Sequence, residues 1–360
     1  MTASDLPRVR LVVLGGDGIG PEVARAAVQV LRVAIVTEPL VIEIEEHAIG
    51  GAAIDAHGEP LPPATLAACL AADAVFLGAV GDSRFDRVPK RPESALLGLR
   101  KALGVFANLR PVRAHPALAD TSPLRAEKLR GVDLLFVREL VGGLYFGTPR
   151  GRTDHDGKRS AVDTLLYDEH EIRRTLEVAF RAAEKRKRKV TQIDKANVLA
   201  TSALWREVAD EVAKDFPNVT LEHQLVDSAA LRLLTDPASF DVLVTENLFG
   251  DILTDEAAAL AGSLGLLPSA SIGSTRPGLF EPVHGSAPDL AGRDLANPLG
   301  AILSMAMLLR HGLDLEAPAL AIERAVDEVL ASGARTRDLG GEMATSAMTA
   351  AVISRLESRG

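Results

Sequence analysis

Short runs rich in β-branched residues alternate with longer amphipathic stretches along almost the whole chain, and this alternation limits the possible folds more than any other feature. Residues 9–14, 40–46, 74–77, 105–113, 132–138, 190–194, 219–226 and 241–245 read as strands. Residues 21–36, 63–70, 93–103, 169–187, 202–214, 228–234, 251–264, 298–310 and 319–331 place apolar side chains at helical spacing. A chain written this way predicts α/β layers with largely parallel pairing in the core. Its 360 residues suffice for two domains, but no repeat or low-complexity linker marks a boundary. Residues 147–160, with Pro149, Gly151 and Gly157 among many charges, predict an exposed arm or hairpin.

Charge and cysteine content remove several classes of function. With 40 basic against 49 acidic residues the formal net charge is -9, which offers no general field for nucleic acid or an anionic membrane. The one basic run, residues 185–189, reads as a solvated helix end, where cations complement the helix dipole. Cys69 is the sole cysteine and lies in an apolar helical stretch, so it reads as a small buried hydrophobe. The polar start of the chain lacks a signal-peptide core, and apolar stretches such as 301–309 are too short to span a bilayer. A cytoplasmic protein is expected.

The polar residues at strand ends carry the chemistry. Gly15-Gly16-Asp17-Gly18-Ile19-Gly20-Pro21 joins a strand to a helix but does not fit G-x-G-x-x-G, so it reads as a tight turn with Pro21 at the first helical position. Asp251 and Asp255 share one face of a helix that follows a strand, where ligands of open α/β sheets collect. Such a pair alone is usually a solvated face; Asp227, at the end of another apolar run, and the polar loop 281–289 strengthen a divalent-metal reading. Lys195 also stands at a strand end, where a nearby metal can lower a lysine's pKa into the range of a general base. Arg100, Arg110 and Arg138 would be costly to desolvate without an anion, and a guanidinium fork matches a carboxylate. Three arginines, three aspartates and a lysine imply a small, metal-chelated hydroxydicarboxylic acid as substrate.

Long motifs in order then point to a family. Gly16-Asp17-Gly18-Ile19-Gly20-Pro21-Glu22, Asn108-Leu109-Arg110-Pro111, Val137-Arg138-Glu139-Leu140, Tyr145-Phe146-Gly147, Asp194-Lys195-Ala196-Asn197, the run from Asn247 to Asp255, and His284-Gly285-Ser286-Ala287-Pro288-Asp289 are all present. On these the chain resembles the β-decarboxylating hydroxyacid dehydrogenases, the isocitrate/isopropylmalate dehydrogenase family, from about Leu11 to beyond Thr345. Its isopropylmalate branch fits best, which implies NAD-dependent oxidative decarboxylation of 3-isopropylmalate to a 2-oxo acid and CO2 in leucine biosynthesis. The alternative within the family is a D-malate or tartrate dehydrogenase.

The resemblance implies two open-sheet α/β domains with a substrate cleft between them. The first would comprise residues 1–105 plus 263–360; the second, 106–262, would carry the interface of a homodimer and an arm at about 147–166. Mg2+ or Mn2+ would be held by Asp251 and Asp255 of one subunit and Asp227 of the other, so that active sites are shared. Lys195, also from the partner, and Tyr145 would be the catalytic proton carriers. Glu93, Leu96, Leu97, Arg100, Arg110, Arg138 and Asp227 would bind substrate. Leu96 and Leu97, one helical turn before Arg100, would suit a branched alkyl group and leave a third carboxylate without donors. NAD would be held by His284, Gly285, Ser286, Ala287, Asp289 and Asn297, with Asp289 on the adenosine ribose.

Overall fold

The computed structural model describes residues 6–85 and 87–358, which divide into two compact units. Unit one holds the described chain up to Val105, His115–Pro123 and the described residues from Ala261 on; unit two holds Phe106–Ala114 and Leu124–Leu260. The short excursion His115–Pro123 therefore belongs to the first unit, a detail that simple boundaries at 106 and 262 omit. Twelve strands occur among the described residues: β1 Arg8–Gly16, β2 Val41–His47, β3 Ala74–Ala79, β4 Ala107–Arg113, β5 Asp133–Glu139, β6 Gly151–His155, β7 Lys158–Val162, β8 Lys189–Asp194, β9 Thr220–Leu225, β10 Val242–Thr245, β11 Pro268–Ile272 and β12 Gly278–Pro282.

Unit one orders its strands β2-β1-β3-β12-β11. All pairs are parallel except β11 with β12. Unbroken apolar runs suit such strands because helices cover both faces. Every residue of β3 is buried, and Val12, Leu14, Val75 and Leu77 pack with Leu99 and Cys69 in one core. Burial pushes the Cys69 thiol up to about 12, as expected of a structural cysteine. The glycine turn after β1 is structural too. Gly18 has a φ of 57°, and a Cβ there would lie 2.0 Å from the Ser286 carbonyl oxygen. Beside it, the Asp17 carboxylate accepts the backbone N–H groups of Gly51, Ala52 and Gly81. The helix Gly20–Ala34 then starts with Pro21 in its first turn.

Unit two orders its strands β4-β5-β10-β8-β9, with β4 antiparallel to β5 and the other pairs parallel. β6 and β7 form a separate exposed antiparallel hairpin, where the arm was expected. The helix Glu169–Glu184 opens with a capping box between Asp168 and Glu171. It stops short of the basic run, which is not simply solvated. Arg186 binds Asp133 and Asp241, and Lys189 binds Glu222, so the run secures strand ends. The helix Asn247–Ala261 begins earlier than residue 251, because the Glu246 carboxylate accepts the N–H groups of Leu248 and Phe249 that a helix start leaves open. Among the described residues, no helix is long and apolar enough to cross a membrane.

Candidate active site

Unit two gathers one cluster at the carboxyl ends of β5 and β10. Register pairs Arg138 with Thr245 on one side and with Asn108 on the other, and the helix that follows β10 lies over them. Arg138 donates to Asn247 Oδ1 from Nε at 3.1 Å and Nη2 at 2.8 Å, while its Nη1 binds Asp251 Oδ1. Position 250 must be glycine for this: a Cβ there would come within 2.6 Å of the Arg138 side chain. Arg110 donates to Asn108 Oδ1 at 2.6 Å and Thr254 Oγ1 at 2.7 Å, with Asp255 3.8 Å away. The Tyr145 hydroxyl donates to the other Asp251 oxygen at 2.7 Å.

These contacts drive neighbouring acids in opposite directions. Burial disfavours the Asp251 charge, but Arg138, the Tyr145 hydroxyl and Arg110 outweigh it and hold the carboxyl below its usual range. For Asp255, burial and repulsion from Asp251 outweigh the two arginines, and the pKa rises. Burial and the Asp251 charge push Tyr145 up to about 12, so its proton stays in place at neutral pH. Both aspartates remain open to solvent, with 41% and 62% of their side chains exposed, whereas Arg138 keeps 4%.

Lys195 and Asp227 form their own pair in the same unit, at 2.5 Å. The ammonium holds Asp227 below the usual carboxylate range. Lys195 follows Asp194, which Arg206 grips through both carboxylate oxygens at 2.9 Å. Among the described residues no three His, Cys, Asp or Glu side chains form a group that could hold one metal ion, so Asp227 does not join Asp251 and Asp255 within a chain.

Unit one contributes two sets of residues. On the helix Pro92–Leu103, buried Arg100 binds Glu281 at 2.8 Å while its Nε has no partner among the described residues. Leu96 packs partly on the core, Leu97 is half-buried, and Glu93 is exposed with its carboxylate beside Gly81. Separately, a cavity of about 390 Å³ is lined by Ile19, Ser263, Gly265, His284, Gly285, Ala287, Leu290, Leu295, Ala296, Asn297, Arg337 and Asp338. His284 Nε2 is buried there without a partner among the described residues, and burial lowers the His284 pKa, leaving a neutral ring. Asp338 accepts from Asn297 at 2.9 Å and from Ser263.

A family model for isocitrate/isopropylmalate dehydrogenase matches residues 10–352. The chain belongs to that family. A 3-isopropylmalate dehydrogenase of Anaeromyxobacter dehalogenans is 60% identical, covering 96% of this chain and 99% of that one. One from Bacillus subtilis is 56% identical, with 92% and 91% covered. An isocitrate dehydrogenase from Methylococcus capsulatus superposes with a TM-score of 0.87 at 36% identity, covering 97% and 99%.

As a member of the isocitrate/isopropylmalate dehydrogenase family, the chain distributes its expected site residues unevenly. Arg110, Arg138, Tyr145, Asp251 and Asp255 converge, and His284, Gly285, Ala287 and Asn297 share the cavity wall. Ser286 and Asp289 are not in that wall: the Ser286 carbonyl accepts from Ile19, and Asp289 is exposed beside Arg293. Sequence reasoning missed Asn108, Asn247 and Thr254, which hold the arginines, and Glu281, which holds Arg100. It also missed Ser263, Arg337 and Asp338. Asn108, Asn247 and Glu281 lay inside or beside quoted motifs; Asp338 had no local signal.

Proposed function

We propose that the protein is an NAD-dependent 3-isopropylmalate dehydrogenase acting in leucine biosynthesis as a cytoplasmic homodimer. The reading rests on one observation above all. Two acids four residues apart, two buried arginines and a tyrosine that keeps its proton converge in a chain whose relatives bear that name. Carboxylate oxygens suit a hard cation, and Asp251 and Asp255 are exposed enough to meet one. The neutral His284 ring with its orphaned nitrogen and the mostly neutral cavity wall suit a purine. When bound, Mg2+ or Mn2+ supplies Lewis acidity toward the substrate's C1 carboxylate and C2 hydroxyl, and NAD+ supplies the hydride acceptor.

The chain's own groups would then act as follows. Lys195, with Asp227, serves the site of the partner subunit, which accounts for the lack of a third acid beside Asp251 and Asp255 among the described residues of one chain. Its ammonium nitrogen, once deprotonated, takes the C2 hydroxyl proton. Arg110 and Arg138 hold carboxylates in alignment, and Arg100 has a buried, unpartnered Nε to offer. After CO2 leaves, the Tyr145 hydroxyl is a proton source for C3. Leu96 and Leu97 receive the isopropyl group and disfavour the third carboxylate of isocitrate.

The test is NADH formation by purified protein with Mg2+ or Mn2+ present, offered 3-isopropylmalate, D-malate, tartrate and isocitrate in parallel. The highest kcat/KM is expected with 3-isopropylmalate and NAD+. A higher value with malate or tartrate would move the protein to the sister activity, and a preference for NADP+ would remove the NAD assignment.

A further inference from the structure

Behind the active-site cluster of unit two, one buried hydroxyl faces two carboxylates. The Tyr167 hydroxyl lies 3.1 Å from Glu139 and 3.4 Å from Glu246, and it accepts the Asn247 backbone N–H at 3.0 Å. Having a single proton, it donates to one carboxylate at a time. Glu139 also accepts the N–H groups of Val141 and Gly142, as Glu246 does those of Leu248 and Phe249. Burial nevertheless raises both acids, Glu139 to about 7. Two other charges bear on the pair: Glu171 disfavours ionised Glu139, and Arg138 favours ionised Glu246.

Two partners of this hydroxyl lead to Arg138, one as its neighbour in the chain and the other through hydrogen bonds. Glu139 follows Arg138 on β5, so their side chains leave opposite faces of the sheet. Asn247, whose N–H Tyr167 accepts, is the residue whose side chain receives two Arg138 donors. A Cβ on Gly142 or Gly143 would lie 2.5 Å from Tyr167 atoms, which means the ring presses directly on the turn that delivers Tyr145. Resting on the dehydrogenase reading above, we propose that Tyr167, joined by one shared proton to Glu139 and Glu246, is a positioning residue that keeps Arg138 and Tyr145 in reactive alignment.

Trp205, the chain's one tryptophan, meets the Tyr167 ring edge-on at 5.5 Å, so its emission reports on this network without any substrate. The experiment compares wild type, Tyr167→Phe and Glu139→Gln. Wild-type emission is expected to titrate in one step near the Glu139 value of about 7, and Glu139→Gln to abolish the step. On whichever 2-hydroxy acid the wild type oxidises, Tyr167→Phe should lower kcat about ten- to a hundredfold with little change in KM, as expected of misaligned groups. Glu139→Gln should flatten the matching part of the kcat–pH profile. Pairing flat wild-type emission with an unshifted kcat in Tyr167→Phe would overturn the proposal. Should Tyr167→Phe fail to fold, Glu139→Gln decides alone, and an emission step that survives it refutes the shared proton. A wild type that oxidises malate but not 3-isopropylmalate would defeat the substrate assignment and leave this comparison intact.

Discussion

Around Asp251 each guanidinium and the Tyr145 hydroxyl already has a protein partner, whereas around His284 a buried nitrogen has none and most of the wall is neutral. Charges withdrawn from water must be compensated, so the first region is wired together by its own protein partners. A neutral ring needs only shape and one polar contact, so the second can wait half-satisfied. Substitutions in the wired region should therefore be felt through several groups at once, and those in the cavity through one ligand only.

The largest expected effect breaks the comparison at its most exposed point, the separate Lys195–Asp227 pair. Lys195→Ala should lower kcat about 10²- to 10⁴-fold, the range for a lost general base. Coexpressed with Arg110→Ala, it should regain about a quarter of wild-type activity, because half of randomly paired isologous dimers then own one intact site. Mixed dimers that stay inactive would place the lysine in the same chain's site.

Next in size is metal dependence. Asp251→Asn removes a partner from both Arg138 and Tyr145, so the half-saturating Mg2+ concentration should rise on the order of 10- to 100-fold and kcat should remain depressed at saturation. Asp255→Asn, whose side chain is 62% exposed and 3.8 Å from Arg110, should shift the metal requirement while restoring more of kcat. Equal behaviour of the two variants would deny the wiring.

Smaller still, Leu97→Ala should cost about 1–3 kcal/mol in kcat/KM for 3-isopropylmalate while sparing malate. Leu96→Ala should do the same and also lower Tm, since Leu96 packs against the core. Equal losses with both substrates would move the alkyl pocket elsewhere. The smallest effect belongs to the cavity. His284→Ala should raise the KM for NAD+ about three- to tenfold, the worth of one hydrogen bond, with kcat and substrate KM unchanged.

The same contrast decided what could be read from the sequence. β-branched runs disclosed most strands because their periodicity is local, and Asp251 and Asp255 announced themselves by helical spacing. β11 and β12 were missed: they are short and framed by Pro268, Gly278 and Pro282, and β12 also pairs with β3, far away in the chain. With them went Glu281, the partner of Arg100. Asp338 is acidic surface decoration until folding sets it beside Asn297 and Ser263. The basic run misled for the same reason, since the acids that satisfy Arg186 arrive from residues 133 and 241.

Cys69 has a practical corollary. A thiol held near 12 is ionised in only about one molecule in ten thousand at pH 8, and this one is also sealed from solvent, so thiol-directed reagents find nothing to react with in the native chain. The wild-type sequence is thus already a blank background for labelling. A single Ser160→Cys on the exposed hairpin would accept one dye per chain, and two such chains brought together would report their separation by energy transfer without any prior surgery on the protein.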